Sequence, residues 1–389
     1  MKRTAIAPAS AYAQSQVMPA PVAVSVELRD PDVVGSLLRE LTLADPGLVL
    51  LFASHAEKLA ALSVKLAAKL PEGCQIVGCS SAGEIGPMGY SSGTVTALGF
   101  PRGSFRVGVT VLRNQEHIPV SEWMHQLRDF RSKFNADETR SVFGLLLADG
   151  MARHEDVLVA TLEATMPGLP VIGGSAADGL RFGRTIQVVN GIEHPGSALF
   201  LLIETDFEAA EVSFAHFSAT AKRAVVTAAD PQNRTILELN AEPAAEEYAR
   251  LSGISLQSLT PPEFARHPLI LRTGRRNHIR AIRGVTAEGG LELMSSIEVG
   301  TILRLGRVED MTQGFADAMG ALARPPLMVL GFDCILRRLA LERAGMKDEM
   351  SEIFARFHVA GFNTYGEQHN GMHVNQTFVG MAFLPRHEA

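Results

Sequence analysis

Three stretches of the chain repeat one order of apolar and polar positions. Each opens with a continuous apolar run, which is typical of a strand buried on both faces. An amphipathic helix follows, with apolar residues at helical spacing along one face. The apolar runs lie at 47–52, 142–148 and 327–332. The helix faces comprise Leu59, Leu62, Leu66 and Leu70, then Leu158, Leu162 and Met166, then Met350, Ile353, Phe354 and Phe357. The shared order predicts one strand-and-helix unit repeated three times.

A glycine-containing string follows each helix, and a further apolar run follows each string. Each string has two apolar residues, a glycine, one variable residue, a small polar pair, and then a glycine or an acid. The strings lie at 76–84, 171–179 and 359–367, and the later runs at 94–100, 185–190 and 377–383. The predicted unit is therefore strand, helix, strand, glycine turn, strand, and its repetition is a fold signal. Sheets that alternate with helices bind ligands at such strand ends, so we expect the turns to line a common cleft.

The segment between the second and third units has a different pattern. Residues 237–251 predict a helix, with Asn240 and Pro243 obscuring its boundaries. Residues 269–307 alternate apolar and polar positions in short runs, which predicts an antiparallel meander. Alanine, threonine and the turn pair Asp230-Pro231 indicate a domain boundary near 218–235.

These patterns predict an α/β (mixed α+β) fold with two subdomains of repeated β-α-β-β modules. We expect mixed sheets packed face to face, with the helices outside. The expected divisions are a flexible N-terminal arm at 1–24, an N-terminal domain at 25–220 and a C-terminal domain at 221–389.

Composition and charge exclude several classes of function. The formal net charge is −6, which argues against nucleic-acid and anionic-membrane partners because phosphate binding requires a basic face. Three cysteines without a CxxC pair argue against a disulfide framework and fit a reducing cytoplasm. No apolar stretch approaches the roughly 18 residues that a membrane helix needs. The basic cluster of Arg272, Arg275, Arg276, Arg280 and Arg283 is interpreted as a solvated strand face.

The glycine strings and their surroundings resemble the FIST sensory domain family. VGCSSAGE at 77–84 and IGGSA at 172–176 are similar to the FIST N-terminal domain. The second half is similar to the FIST C-terminal domain through LELN at 237–240 and FDC at 332–334, which Arg337 and Arg338 follow. NTYGE at 363–367, leading to HVNQT at 373–377, adds the most specific match. The resemblance covers about 25–385.

The resemblance implies a bacterial intracellular sensor that binds a small ligand such as an amino acid. It also implies two-component or cyclic-dinucleotide signalling, in which a separate histidine kinase or cyclic-dinucleotide enzyme reads the bound state. On this interpretation the chain is a stand-alone cytoplasmic sensor and not an enzyme. It requires no cofactor, contacts neither nucleic acid nor membrane, and leaves a homodimer open.

The turns and the last glycine string supply the candidate ligand-binding residues. Short neutral hydrogen-bonding groups suit a small polar ligand, and an arginine can fork onto a carboxylate. The candidates are Ser80, Ser81, Gly83, Gly174, Ser175, Cys334, Arg337, Asn363, Thr364, Tyr365, Glu367, His373 and Asn375. The alternative interpretation is structural. The polar residues would then cap local amides, the arginines would bridge modules, and Cys334 would be a small buried hydrophobe.

Two other functions stay open. Some relatives in the family are haem proteins that sense nitric oxide, and a haem iron needs an axial ligand in an apolar pocket. The candidate axial ligands are His216, His373 and His194. A hydrolase is the second alternative, in which Cys79 at a strand end would be an exposed thiolate.

Overall fold

The computed structural model describes residues 18–137, 139–152, 154–273 and 276–386. Most of the arm predicted at 1–24 lies outside these residues, and so does the turn glycine Gly274. The first strand begins at Val22, inside the range predicted for the arm.

The first repeat folds into a mixed sheet with two helices on one face. Its elements are β1 (Val22–Glu27), α1 (Val33–Leu41), β2 (Pro46–Ala53), α2 (Ala56–Ala67), β3 (Gln75–Ser80), β4 (Glu84–Gly86), β5 (Gly89–Ser91) and β6 (Thr94–Pro101). Strands β2 and β3 are parallel and α2 connects them, while β6 returns antiparallel to β2. The predicted leucine face of α2 is buried, as the helical spacing requires.

The second repeat has the same order of elements. They are β7 (Phe105–Leu112), α3 (Val120–Phe134), β8 (Ser141–Ala148), α4 (Glu155–Thr165), β9 (Val171–Ser175), β10 (Gln187–Val189), β11 (Ile192–Glu193) and β12 (Ala198–Thr205). A strand is found inside the range predicted at 185–190, but it is the first arm of a short hairpin and not the long return strand of the repeat. The long return strand is β12, which pairs with β8.

An insertion interrupts the third repeat directly after its edge strand β13 (Glu208–Ala215). The inserted elements are β14 (Phe217–Asp230), β15 (Thr235–Leu239), β16 (Glu242–Pro243), α5 (Ala244–Ser252), α6 (Pro261–Arg266), β17 (Leu269–Thr273), β18 (Arg276–Arg280), β19 (Ile282–Val285), β20 (Leu291–Leu293) and β21 (Ile302–Val308). The predicted short antiparallel strands are confirmed, but the meander order is wrong, because β17–β18 and β19–β20 form two separate hairpins that β21, β14 and β15 lie between. The helix predicted from 237 begins only at Ala244, because 235–239 pair with β14 as a strand. Strand β14 also runs through the predicted boundary region.

The third repeat then resumes with an additional helix. Its elements are α7 (Met311–Gly320), β22 (Met328–Cys334), α8 (Ile335–Ala344), α9 (Lys347–Arg356), β23 (Val359–Thr364), β24 (Glu367–His369), β25 (Met372–Val374) and β26 (Thr377–Leu384). Strands β22 and β23 are parallel, and β26 pairs with both β22 and β13.

Each repeat donates its short hairpin to the sheet of another repeat. The β4–β5 hairpin of the first repeat pairs with β23, the β10–β11 hairpin of the second pairs with β3, and the β24–β25 hairpin of the third pairs with β9. The exchange is cyclic and joins the repeats into a closed ring of three six-stranded sheets.

The α/β class is confirmed, and the three sheets of the ring surround one core. Side chains from β2, β8, β22 and β23 meet inside the ring, where the rings of Phe52 and Phe362 lie 4.5 Å apart. The repeat helices cover the outer faces in three separate apolar clusters. The insertion has its own core under α5 and α6. No helix among the described residues is long and apolar enough to span a membrane.

The first glycine of each string lies within a strand and not in a turn. A Cβ atom would lie 2.1 Å from a carbonyl oxygen of the neighbouring parallel strand at Gly78, 2.0 Å at Gly173 and 1.8 Å at Gly361. Real Cβ atoms do not approach this closely. The repeated glycine is therefore required by the approach of a second strand.

Candidate ligand-binding site

The three glycine strings end at the same place in the ring, where their backbones bind one another. The linking hydrogen bonds are Ala82 N to Asn363 O (2.9 Å), Ala177 N to Ser80 O (3.0 Å) and Ser175 N to Gly366 O (2.8 Å). The polar residues Ser80, Ser81, Ser175, Asn363 and Thr364 are fully buried. The strings thus converge as predicted, but they fill the space between them instead of lining a hollow.

Glu84 and Glu367 occupy the same position, at the start of β4 and of β24. Each carboxylate accepts hydrogen bonds from hydroxyl groups on both sides of its hairpin. The donors are Ser81 Oγ (2.7 Å) and Thr94 Oγ1 (2.8 Å) for Glu84, and Thr364 Oγ1 and Thr377 Oγ1 (2.6 Å) for Glu367. Burial raises the pKa of both carboxyl groups, that of Glu367 to about 8. Each side chain therefore links the residue before its hairpin to the residue after it.

Arg337 is fully buried and ion-paired. Its Nη1 lies 2.6 Å from Asp333 Oδ1, one turn earlier in the chain, and the Tyr90 hydroxyl donates to the other oxygen of the same carboxylate. Tyr90 lies on β5, so the group joins the first hairpin to the third repeat. Burial raises the pKa of Asp333 and the guanidinium opposes that effect.

Arg338 makes a second connection between the same two repeats. Its Nη1 donates to Asn363 Oδ1 at 3.0 Å and to the Ser91 carbonyl oxygen at 3.1 Å, and its Nε donates to Glu342. At Gly83, where φ is +143°, a Cβ atom would lie 2.0 Å from Arg338 Nη1. The glycine therefore leaves room for the guanidinium.

Three further candidate residues are packed in the protein interior. Cys334 is fully buried, and burial raises the pKa of its thiol well above the ordinary value. A Cβ atom at Gly174 would lie 2.4 Å from Thr364 Cγ2. Asn375 Nδ2 donates to the Tyr365 carbonyl oxygen at 3.1 Å, while its Oδ1 has no partner among the described residues.

An open cleft lies between the ring and the insertion, with a cavity volume of about 660 Å³. Helix α4 and the β24–β25 hairpin form one wall, and the turn after β14 and strands β17 and β18 contribute to the other. The lining residues include His154, Asp156, Val157, Ala160, Gln232, Arg234, Leu271, Arg280, Ser296, Ile297, Met372 and His373. The volume falls within the range of about 300–1,000 Å³ that small-molecule sites occupy.

Two polar contacts connect the insertion to the ring beside the cleft. Arg234 Nη2 lies 3.1 Å from Glu155 Oε2, and the Ser296 amide donates to Asp156 Oδ2 at 3.1 Å. Both acids belong to the first turn of α4, where carboxylates are favoured by the helix dipole. These two contacts join the two structural units that bound the cleft.

Arg280 stands at the end of β18 and lines the cleft with only 7% of its surface exposed. Burial lowers the pKa of its guanidinium, and the negative charge of Asp156 acts in the opposite direction. An arginine stays protonated in a folded protein. The cleft thus contains a buried positive charge and a carboxylate.

A smaller cavity of about 160 Å³ adjoins the cleft and shares Gln232, Arg234 and His373 with it. The Tyr365 ring stacks on Phe182 at a centroid distance of 4.7 Å, and both rings line this cavity. The Tyr365 hydroxyl donates to Asp178.

Asp178 holds the loop that carries Phe182. Burial alone would raise the pKa of Asp178. Hydrogen bonds from Tyr365 and from the backbone amides of Phe182, Gly183 and Arg184 outweigh that effect and lower the pKa. The carboxylate therefore stays charged and orders the loop beside the smaller cavity.

Of the predicted ligand residues, only Tyr365 and His373 line these two cavities. Sequence reasoning missed Arg280, Asp156, Arg234 and Phe182. Arg280 did belong to the recognised basic cluster, but the interpretation of that cluster as a solvated face is wrong for this residue. The apolar neighbours Ile279 and Ala281 were the signal of a buried segment.

The three candidate axial histidines differ in their surroundings. His216 is buried, its Nδ1 has no partner among the described residues, and burial lowers its pKa well below the ordinary value. The cavity beside it measures about 230 Å³, which is below the range of about 300–1,000 Å³ for small-molecule sites. His373 lines the open cleft of about 660 Å³ together with the buried Arg280, and His194 lines none of these three cavities.

Cys79 does not have the exposure that a nucleophile requires. Its side chain is fully buried in the core of the ring, and burial raises the pKa of the thiol well above the ordinary value. The expected exposed thiolate is wrong.

Two family models match the chain. The FIST N domain matches residues 47–242, half of the chain, and the FIST C domain matches residues 244–370. The border between the two matches falls inside the insertion, between β16 and α5. A comparison with curated proteins gives no match.

Proposed function

We propose, from the premise that this chain belongs to the FIST family, that the cleft beside the insertion binds an amino-acid-like ligand and that its occupancy regulates a separate signalling protein. FIST domains are sensory domains of signal transduction that bind small ligands. We expect the separate signalling protein to be a histidine kinase or a cyclic-dinucleotide enzyme. That part of the proposal is supported by the family resemblance.

The observation that carries the ligand proposal is the pairing of opposite charges in one cleft. Arg280 and Asp156 both line it, and no direct ion pair joins them among the described residues. A free amino acid carries a carboxylate and an ammonium group a short distance apart. Arg280 can take the carboxylate and Asp156 the ammonium, so the zwitterion satisfies both charges.

The position of the cleft explains how occupancy can be transmitted. A ligand there contacts the ring through α4 and the insertion through β18. Binding to the two units together favours one relation between them, and a coupling of about 1–3 kcal/mol is typical of such control. The exposed surface of the insertion is then available to report the change to the partner.

A thermal-unfolding screen of the full chain against the L-amino acids tests the ligand proposal. A ligand at 100 times its Kd should stabilise the protein by about 2.7 kcal/mol. Amides and N-acetyl derivatives of the active amino acid serve as matched controls, because each removes one charge. A screen in which no amino acid raises the unfolding temperature would contradict the proposal.

The output is tested by autophosphorylation of a purified sensor histidine kinase from the same cell, with and without this protein. We expect the protein to change the rate and the active amino acid to modulate that change. If the protein changes the rate of none of the kinases and cyclic-dinucleotide enzymes assayed, the regulatory part of the proposal is refuted. The ligand part then still stands.

A further inference from the structure

We propose that Arg280 is the anchor for a carboxylate of the ligand, so that the cleft selects small molecules carrying that group. The inference rests on the proposed function, since it names the chemistry of the same cleft. The observation behind it is the shortage of hydrogen-bond partners for the Arg280 guanidinium among the described residues.

The guanidinium of Arg280 is buried but poorly satisfied. Its Nε has no hydrogen-bond partner among the described residues. Its Nη1 makes one long contact, 3.5 Å, to the carbonyl oxygen of the preceding residue Ile279. Ordinary N–H···O bonds span about 2.7–3.2 Å. Arg280 also forms no ion pair in the part of the chain that the structure describes.

Burying an uncompensated charge is costly, and proteins normally pair such a group. Arg337 shows the usual solution, because its guanidinium lies 2.6 Å from Asp333. No acid among the described residues forms an ion pair with Arg280, and Asp156 acts on it only as a charge elsewhere in the cavity of about 660 Å³ that both residues line. An anion in that cavity would supply the missing partner.

Strand pairing fixes the backbone of Arg280, and the side chain is confined because only 7% of the residue is exposed. Arg280 is the last residue of β18 and pairs with Leu269 of β17, whose own neighbour is Leu305 of β21. A charged group on a paired strand loses little freedom when it binds, which favours a preorganised site.

The surroundings favour a carboxylate over a phosphate. The planar guanidinium fork matches a carboxylate in two parallel hydrogen bonds. Asp156 and Glu298 line the same cleft and would repel the higher charge of a phosphate. The same two acids would attract an ammonium group on the ligand.

Isothermal titration calorimetry of three proteins tests the anchor: wild type, Arg280→Gln, and the control Arg223→Gln. Arg223 is exposed on β14 of the same sheet and lines neither cavity. The probes are the L-amino acids, sodium succinate and sodium phosphate, at one ionic strength set with sodium chloride. Circular dichroism and urea unfolding confirm that each variant is folded.

We expect wild type and Arg223→Gln to bind a carboxylate probe alike, and Arg280→Gln to bind it roughly 10- to 100-fold more weakly. Arg280→Lys should recover only part of the loss, because it restores the charge without the fork. Equal carboxylate affinity in wild type and Arg280→Gln would overturn the inference. So would phosphate binding tighter than every carboxylate, or no carboxylate binding at all.

The outcomes separate the two proposals. Amino-acid binding that survives Arg280→Gln leaves the proposed function standing and removes the anchor. Arg280-dependent binding of succinate without binding of any amino acid keeps the anchor and removes the amino-acid ligand.

Discussion

The buried arginines Arg337 and Arg338 differ from the buried Arg280 in what their guanidinium groups contact. Arg337 and Arg338 lie where the first hairpin meets the third repeat, and their donors bind Asp333, Asn363 and the first hairpin. Arg280 lies beside the cleft and has one long contact to its own backbone neighbour. The first two arginines join the first hairpin to the third repeat, whereas Arg280 is the residue that we propose as the anchor of a ligand carboxylate.

This difference in contacts indicates that a buried charge without partners, rather than a paired one, is the better candidate for ligand binding. A satisfied charge stabilises the fold relative to a version that lacks one partner, so its removal should unfold or loosen the protein. An unsatisfied charge costs stability until a ligand arrives, so its removal should leave the fold intact. The sequence motif made Arg337 a candidate ligand residue, and in the structure its guanidinium is paired with Asp333.

The largest expected effect is that of Arg337→Met. The substitution leaves Asp333 fully buried without its ion-pair partner, which typically costs about 3–5 kcal/mol. Urea unfolding followed by circular dichroism measures the loss. The double variant Arg337→Met with Asp333→Asn should recover part of it, because the orphaned charge is then absent. Wild-type stability in the single variant would show that the two arginine groups do not differ as described.

Arg338→Met should cost about 1–3 kcal/mol, since the Asn363 side chain and the Ser91 carbonyl oxygen lose a charged donor. We also expect faster proteolysis in the hairpin at 84–91. Arg343→Met, an exposed position on the same helix α8, is the matched control. If both variants are cleaved at the same rate, Arg338 does not secure the hairpin.

The substitution Glu367→Gln tests whether the buried carboxyl of Glu367 is neutral or charged in the folded protein. Burial raises the pKa of Glu367 to about 8, from 4.5 as its ordinary value. The folded state therefore holds a proton that the unfolded state releases, so this carboxyl's contribution to stability is complete below about pH 4.5 and declines as pH rises to about 8. Gln187 occupies the equivalent position in the second hairpin, so glutamine fits there.

We expect the stability of Glu367→Gln, relative to wild type, to rise by at least about 1.4 kcal/mol, the equivalent of one pKa unit, between pH 5 and pH 9. Urea unfolding across that range measures it. Parallel pH profiles for the two proteins would mean that Glu367 is ionised in the fold, which would place it with the paired charges.

The smallest expected effect is that of Arg280→Met on stability without ligand. Replacing an unpaired buried charge should change the free energy of unfolding by no more than about 1 kcal/mol, in the stabilising direction. The urea midpoint of the ligand-free protein provides the measurement. If Arg280→Met loses as much stability as Arg337→Met, Arg280 stabilises the fold as Arg337 does, and the proposed difference between them is refuted.

Much of the local structure could be predicted from the sequence. The apolar runs, the buried face of α2 and the short strands of the insertion all follow from periodicity and local turn residues, because neighbours in sequence decide them. The return strand of the second repeat was missed because a short hairpin precedes it. Strand 235–239 was missed because its partner β14, rather than its own pattern, makes it a strand.

The candidate site was less accessible to sequence reasoning. Tyr365 and His373 were chosen from a motif and do line the cavities, but Asp156 and Arg280 lie 124 positions apart and share no local pattern. Whether a buried polar group binds a ligand depends on which donors and acceptors surround it, and those come from distant parts of the chain.

The sequence by itself determined three copies of one strand–helix unit, since each copy has its own periodicity. Only the tertiary structure decided that the hairpins are exchanged around a ring, that Arg337 is paired, and that Arg280 is not. The physical reason is that periodicity reports burial, whereas satisfaction of a buried charge depends on contacts such as that of Tyr90 with Asp333, which join residues remote in sequence.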